Sequence, residues 1–223
     1  AWIVTLALVA VMVGCTTADA EDAAEPIRIG FLGELSGPFS IWGIPARNGM
    51  QLAVEELNEA GGVQGRDLEL VERDTQGVPE EGVTGLRELI ERQQIVAAGG
   101  PVSSDVALAV ARVAEEEQVP LFLVMAGADR ILTPRSRMTF RTCLPAASVV
   151  VQPFVEYIEA RGLSRVGAVV ADYEWGRAVE DALIAAFGGD VLEATLAITQ
   201  HGANVGQCVF AQRDDVGRFG VQI

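Results

Sequence analysis

Ile27-Arg28-Ile29-Gly30-Phe31-Leu32-Gly33-Glu34-Leu35-Ser36-Gly37-Pro38-Phe39-Ser40-Ile41-Trp42 decides the fold. Its first six residues form an apolar run with the length and bulk of a buried strand. A turn-rich loop over 33–43 follows, holding Ser36, Gly37, Pro38, Ser40 and Trp42. A helix is then predicted over 44–60, because Met50, Ala53, Val54 and Leu57 recur at helical spacing. Pro45 suits its first turn, where a missing N–H is harmless, and Gly61-Gly62 ends it. Strand, loop and helix make the first half of a βαβ unit. In open α/β sheets ligands sit outside the ends of the strands. That edge here offers hydroxyls, flexible backbone and an indole, but no reactive group.

The same rhythm continues. Strands are predicted at 68–73, 95–98 and 119–124, alternating with helices at 80–93 and 105–117. Each strand opens into small or polar residues. Gly99 to Asp105 carries a glycine pair and two serines, and Met125 to Ala128 is small. The pattern restarts after a strand at 138–144, with a helix at 149–161, a strand at 165–171, a helix at 177–187 and a strand at 191–198. These pieces predict an α/β chain of two Rossmann-like lobes. Lobe one spans 26–143 and a partial lobe two 144–223, with a hinge near 143–147. The tail, 199–223, has no readable period. Two strands and two helices are too few to cover a sheet on both faces, so lobe two is expected to be truncated.

Composition bounds the partners. With 31 acidic residues against 16 basic ones, all of them Arg, the net charge is −15. Such a surface repels phosphate backbones, so no nucleic acid is expected. Pairs and triplets of Glu, such as Glu115-Glu116-Glu117, fall on polar helix faces as solvated charge. Residues 1–14 are uniformly apolar, too short to span a bilayer comfortably, and fit the core of a secretory signal. Cys15 closes Met12-Val13-Gly14-Cys15, which resembles a bacterial lipobox with Met where Leu is usual. Segment 1–15 therefore reads as signal and lipobox, with Cys15 as lipid attachment point. Residues 16–25 read as an acidic tether. Cys143 and Cys208 lack metal-site spacing, so no metal is expected; Cys143 is expected as a buried small hydrophobe, with a disulfide between the two left open.

Three stretches together resemble the branched-chain (Leu/Ile/Val) amino-acid binding proteins of ABC importers, with the type I periplasmic-binding fold. They are Ile29 to Gly43, Gly49 to Asp74 and Ala97 to Ala111; Val169 to Leu183 adds a fourth. The resemblance covers 27–195. It implies a two-lobed extracytoplasmic trap that closes on an amino acid. It places Trp42 at the lip of lobe one and Ser103 where hydroxyl and backbone hold the ligand's α-carboxylate. It places the Ala126 carbonyl on the α-amino group, Ala128 where Thr or Ser is usual, and Trp175 where a Tyr closes from lobe two. Ala128 lacks the usual hydroxyl, which bears on the substrate class.

The residues themselves leave alternatives. Ser103 and Ser104 also suit helix capping, Ser36 also suits turn stabilisation, and Tyr173 competes with Trp175 as the contacting ring. An exposed indole in a strand-end loop points to recognition. Enzyme chemistry has little footing. The single His, His201, lies in the tail, and neither GxGxxG nor GxxxxGK[ST] occurs. The expected protein is a solute-binding lipoprotein capturing a small amino acid or related carboxylate for an ABC permease, without a cofactor. The alternative is the ligand-binding domain of a sensory receptor with the same fold.

Overall fold

The computed structural model describes residues 25–163 and 166–187, together with the backbone of strands Leu192–Ile198 and Val209–Ala211. The lipobox with Cys15, most of the tether, Cys208 and most of the tail lie outside the described residues.

The first unit is a five-stranded, wholly parallel sheet. Its strands are β1 (Ile27–Gly33), β2 (Leu68–Asp74), β3 (Ala97–Gly99), β4 (Leu121–Leu123) and β5 (Thr139–Arg141), in the order β2-β1-β3-β4-β5. Helices α1 (Ser40–Glu59), α2 (Pro79–Glu91) and α3 (Ser104–Glu117) connect them. Strand order reverses between β1 and β3, and a crevice opens beyond the strand ends at such a switch point. Leu32, Leu86, Leu89, Val106, Val110, Leu121 and Leu123 form the core where α2 and α3 meet the sheet. Leu86 and Leu89 on α2, and Val106 and Val110 on α3, recur at helical spacing, so the 3.6-residue period turns them to one face.

The opposite face is covered unevenly. Val54 is buried, yet Ile41, Leu52 and Leu57 of α1 are exposed. Phe122 of β4 and Phe140 of β5 are register partners, exposed, and stacked with centroids 5.4 Å apart.

Beyond β5 come α4 (Ala147–Val150), α5 (Gln152–Ala160), β6 (Val166–Ala171), α6 (Glu174–Phe187), β7 (Leu192–Ile198) and β8 (Val209–Ala211). The second sheet has the order β7-β6-β8, with β7 parallel and β8 antiparallel to β6. Val170, Val179 and Leu183 join the same apolar cluster as α3.

Four expectations need correction. The first helix starts at Ser40, not at 44, so Pro45 lies inside it and Trp42 lies on a helix, not in a loop. The turn closes early because the Ser40, Trp42 and Gly43 amides donate to Gly37 and Phe39 carbonyls. The helix expected over 149–161 is two helices, since Pro153 has no N–H to give the Val149 carbonyl. The tail contributes β8, whose three residues are too few to show a period. Cys143 is exposed, in the connection 142–146 after β5, instead of buried.

Candidate functional site

The switch point is bridged by a carboxylate. Glu34 follows β1 and is fully buried. Its Oε2 accepts from the Val102 N–H at 2.9 Å and its Oε1 from the Ser103 N–H at 3.1 Å. Burial pushes its pKa above the ordinary 4.5, against the opposing pull of these amides, its own backbone and Thr75. Ser103 is the N-cap of α3, but its hydroxyl caps nothing; Glu34 serves its backbone instead.

Ser104, the next residue, does different work. Its Oγ accepts from the Gly127 N–H at 3.2 Å and the Ala128 N–H at 3.3 Å, which ties α3 to the loop after β4.

A cleft of about 260 Å³ opens at this rim. From the first unit, Phe39 and Trp42 form one wall, with Val102 and Ser104 at the start of α3. From the second, Tyr173 and Trp175 face them, and Met125 and Leu144 complete the lining. Phe39 meets Trp42 at 6.2 Å and Tyr173 at 5.4 Å between centroids, so the rings touch across the two units. Trp175 lies against the bare Cα of Gly127; any Cβ there would overlap the indole.

Charged groups sit behind the cleft. Arg130, on the short 3-10 turn Asp129–Ile131, grips Glu174 of α6 with two donors, its Nε lying 2.8 Å from Oε1. The Glu174 N–H donates to Asp105 of α3 at 3.2 Å, and Arg177 faces both Asp105 and Asp172. Glu174 is buried and Arg130 exposed. Glu174 and the nearby acids Asp181 and Asp105 raise the Arg130 pKa.

Of the residues singled out in the sequence, Trp42 and Trp175 come together on this cleft. Ser103 stands one residue from it, without lining it. Ala126 and Ala128 are buried in the loop after β4, and the Ala128 carbonyl accepts from Arg141 at 2.8 Å. Ser36 is exposed, its hydroxyl donating to Asp74 at 2.6 Å. Sequence reasoning missed Glu34, Phe39, Met125 and Leu144. Glu34 did carry a signal, as a lone acid directly after an apolar strand that enters a ligand-side loop. Among the described residues no cluster of three or more His, Cys, Asp or Glu side chains is placed to hold a metal ion.

The profile of the periplasmic binding protein family matches residues 26–203. Leu/Ile/Val-binding protein homolog 7 of Brucella abortus (strain 2308) is 32% identical over 174 residues, 78% of this chain and 43% of that protein. The chain thus spans less than half the length of that relative. A solute-binding protein of an ABC transporter from Rhodopseudomonas palustris HaA2, solved with p-hydroxybenzoic acid, is 28% identical with a TM-score of 0.67. It is matched over 77% of this chain and 47% of its own. The substrate-binding protein LivJ of Streptococcus pneumoniae, at 23% identity, shares the fold with a TM-score of 0.69 over 79% of this chain and 51% of its own. On these matches and on the strand order described above, the chain belongs to the periplasmic binding protein family, with the type I α/β fold.

Proposed function

We propose that this chain belongs to an extracytoplasmic solute-binding lipoprotein that captures a small amino acid or related carboxylate and delivers it to an ABC permease. One observation carries the reading: aromatic rings from both units, Phe39 and Trp42 on one side and Tyr173 and Trp175 on the other, face a single hollow. Its volume lies below the roughly 300–1,000 Å³ of drug-sized pockets, which suits an amino-acid-sized guest. Groups of both units touching one guest make closure and capture the same event, because the guest gains contacts only in the closed form. The relatives support the ligand class: one is named for Leu, Ile and Val, another was solved with a hydroxybenzoate. The crossover near 143–147 serves as the hinge between lobe one, 26–143, and lobe two, 144 onward. The apolar leader and Cys15 supply export and a lipid anchor.

Isothermal titration of the full-length protein with leucine, valine and 4-hydroxybenzoate tests the reading. The expected result is saturable binding that Trp42→Ala and Trp175→Ala each weaken about tenfold, the scale of one lost aromatic wall. Binding that keeps its affinity in both variants would remove the cleft from the account.

A further inference from the structure

The indole of Trp175 rests on a glycine that backbone conformation does not require. Gly127 does not have a positive φ, so the freedom special to glycine is not what it supplies. It supplies space. A Cβ at 127 would overlap Cζ3 of Trp175 and lie 2.8 Å from Cε3 and 2.9 Å from Cη2, all on the outer, six-membered ring of the indole. Trp175 belongs to α6 of the second unit and Gly127 to the loop after β4 of the first. The contact therefore crosses from one unit to the other, at a ring that also lines the cleft.

Neither backbone is free to give way. The Gly127 N–H donates to Ser104 Oγ at 3.2 Å, and its carbonyl accepts from the Ala147 N–H at 3.0 Å. Its neighbours Ala126 and Ala128 are buried. Behind Trp175, α6 starts so close to the end of β6 that a Cβ on Gly176 would overlap the Ala171 carbonyl oxygen. With both backbones held, a methyl at 127 is relieved by turning the half-buried ring. A turn to another staggered rotamer costs the fold little, but it takes a wall away from the cleft.

We propose that Gly127 is a positioning residue for solute capture. Its bare side is the notch that seats the Trp175 indole, and it sets where the second unit's wall stands when the units close on a guest. The inference rests on the solute-capture reading and adds to it a residue that acts through Trp175.

The test is a double-mutant cycle on the full-length protein, read by titration calorimetry with leucine, valine and 4-hydroxybenzoate and by the Tm of the guest-free protein. Gly127→Ala is expected to weaken binding about tenfold in the wild-type background. In a Trp175→Phe background, whose phenyl lacks the outer ring, the same change is expected to cost less than about twofold. The guest-free Tm should stay almost unchanged, because the ring yields and the loop does not. An equal loss in both backgrounds, no loss in either, or a fall in Tm that Trp175→Phe does not repair overturns the proposal. Should Gly127→Ala fail to fold, the double variant is set against Trp175→Phe alone. Matching affinities then support the notch, and weaker binding or a failure to fold overturns it. If wild type binds a guest and the cycle shows no coupling, the capture reading stands and the role of Gly127 falls. If wild type binds none of the three, the capture reading fails and this inference with it.

Discussion

Asp74, the last residue of β2, holds the loop that follows β1. Its Oδ1 accepts from the amides of Leu35, Ser36 and Gln76 at 2.9, 3.3 and 2.9 Å, and its Oδ2 from the Ser36 hydroxyl. Burial works to raise its pKa, but Ser36 and these amides outweigh it and hold the carboxyl below its ordinary 3.8. A folded-state pKa below the unfolded one means that ionised Asp74 stabilises the fold above about pH 4, and that this is lost as pH falls through the lowered value. Glu34 runs the other way. Its raised pKa leaves its contribution greatest below 4.5 and loses it as pH rises through the raised value. Asp74→Asn is expected to cost about 1 kcal/mol at neutral pH and to flatten the acid limb of the Tm-against-pH curve. A variant curve parallel to wild type below about pH 4 would show that the loop bonds carry none of the acid sensitivity.

At the scale of the element, α1 contains a matched pair of glycines. A Cβ on Gly43 would overlap the Glu34 carbonyl oxygen, whereas a Cβ on Gly49 meets nothing within 4 Å. The same substitution on one helix should therefore act with opposite sign. Gly43→Ala is expected to destabilise by about 1–3 kcal/mol, by forcing α1 off the strand end. Gly49→Ala is expected to stabilise by about 0.5–1 kcal/mol, by reducing the freedom of the unfolded chain. Urea denaturation midpoints decide it, and equal shifts would mean that α1 does not press on Glu34. This contact also explains what the sequence could and could not disclose. Alternating strand and helix periods, read locally, place every strand from β1 to β7 within a few residues. The start of α1 escaped because Pro45 is a sound first-turn residue by local rules, whereas the turn bonds to Gly37 and Phe39 begin the helix at Ser40, where Gly43 lies close against Glu34. Trp42 and Trp175 were legible as large rings beside strand ends. That Ser104 faces the cleft while Ser103 turns inward depends on Glu34 and on the amides after β4. Both lie far away in the chain, so spacing could not separate the two serines.

Across the whole molecule, the two units share one apolar cluster and are also tied behind the cleft by the Arg130–Glu174 pair and the Asp105 contact. The pair is asymmetric. Removing exposed Arg130 strands a buried carboxylate, while removing Glu174 leaves a cation that water can solvate. Arg130→Ala is therefore expected to lower Tm and guest affinity more than Glu174→Ala does. The reverse order, in thermal melts and titrations of the full-length protein, would mean that the pair is not what holds the units together.

Phe122 and Phe140, stacked on the less covered face of the first sheet, carry a practical consequence. A parallel sheet ordinarily has both faces shielded, and two adjacent bare rings are greasy enough to greet any similar surface. For as long as nothing lies over them, concentrating the polypeptide brings like flank to like flank.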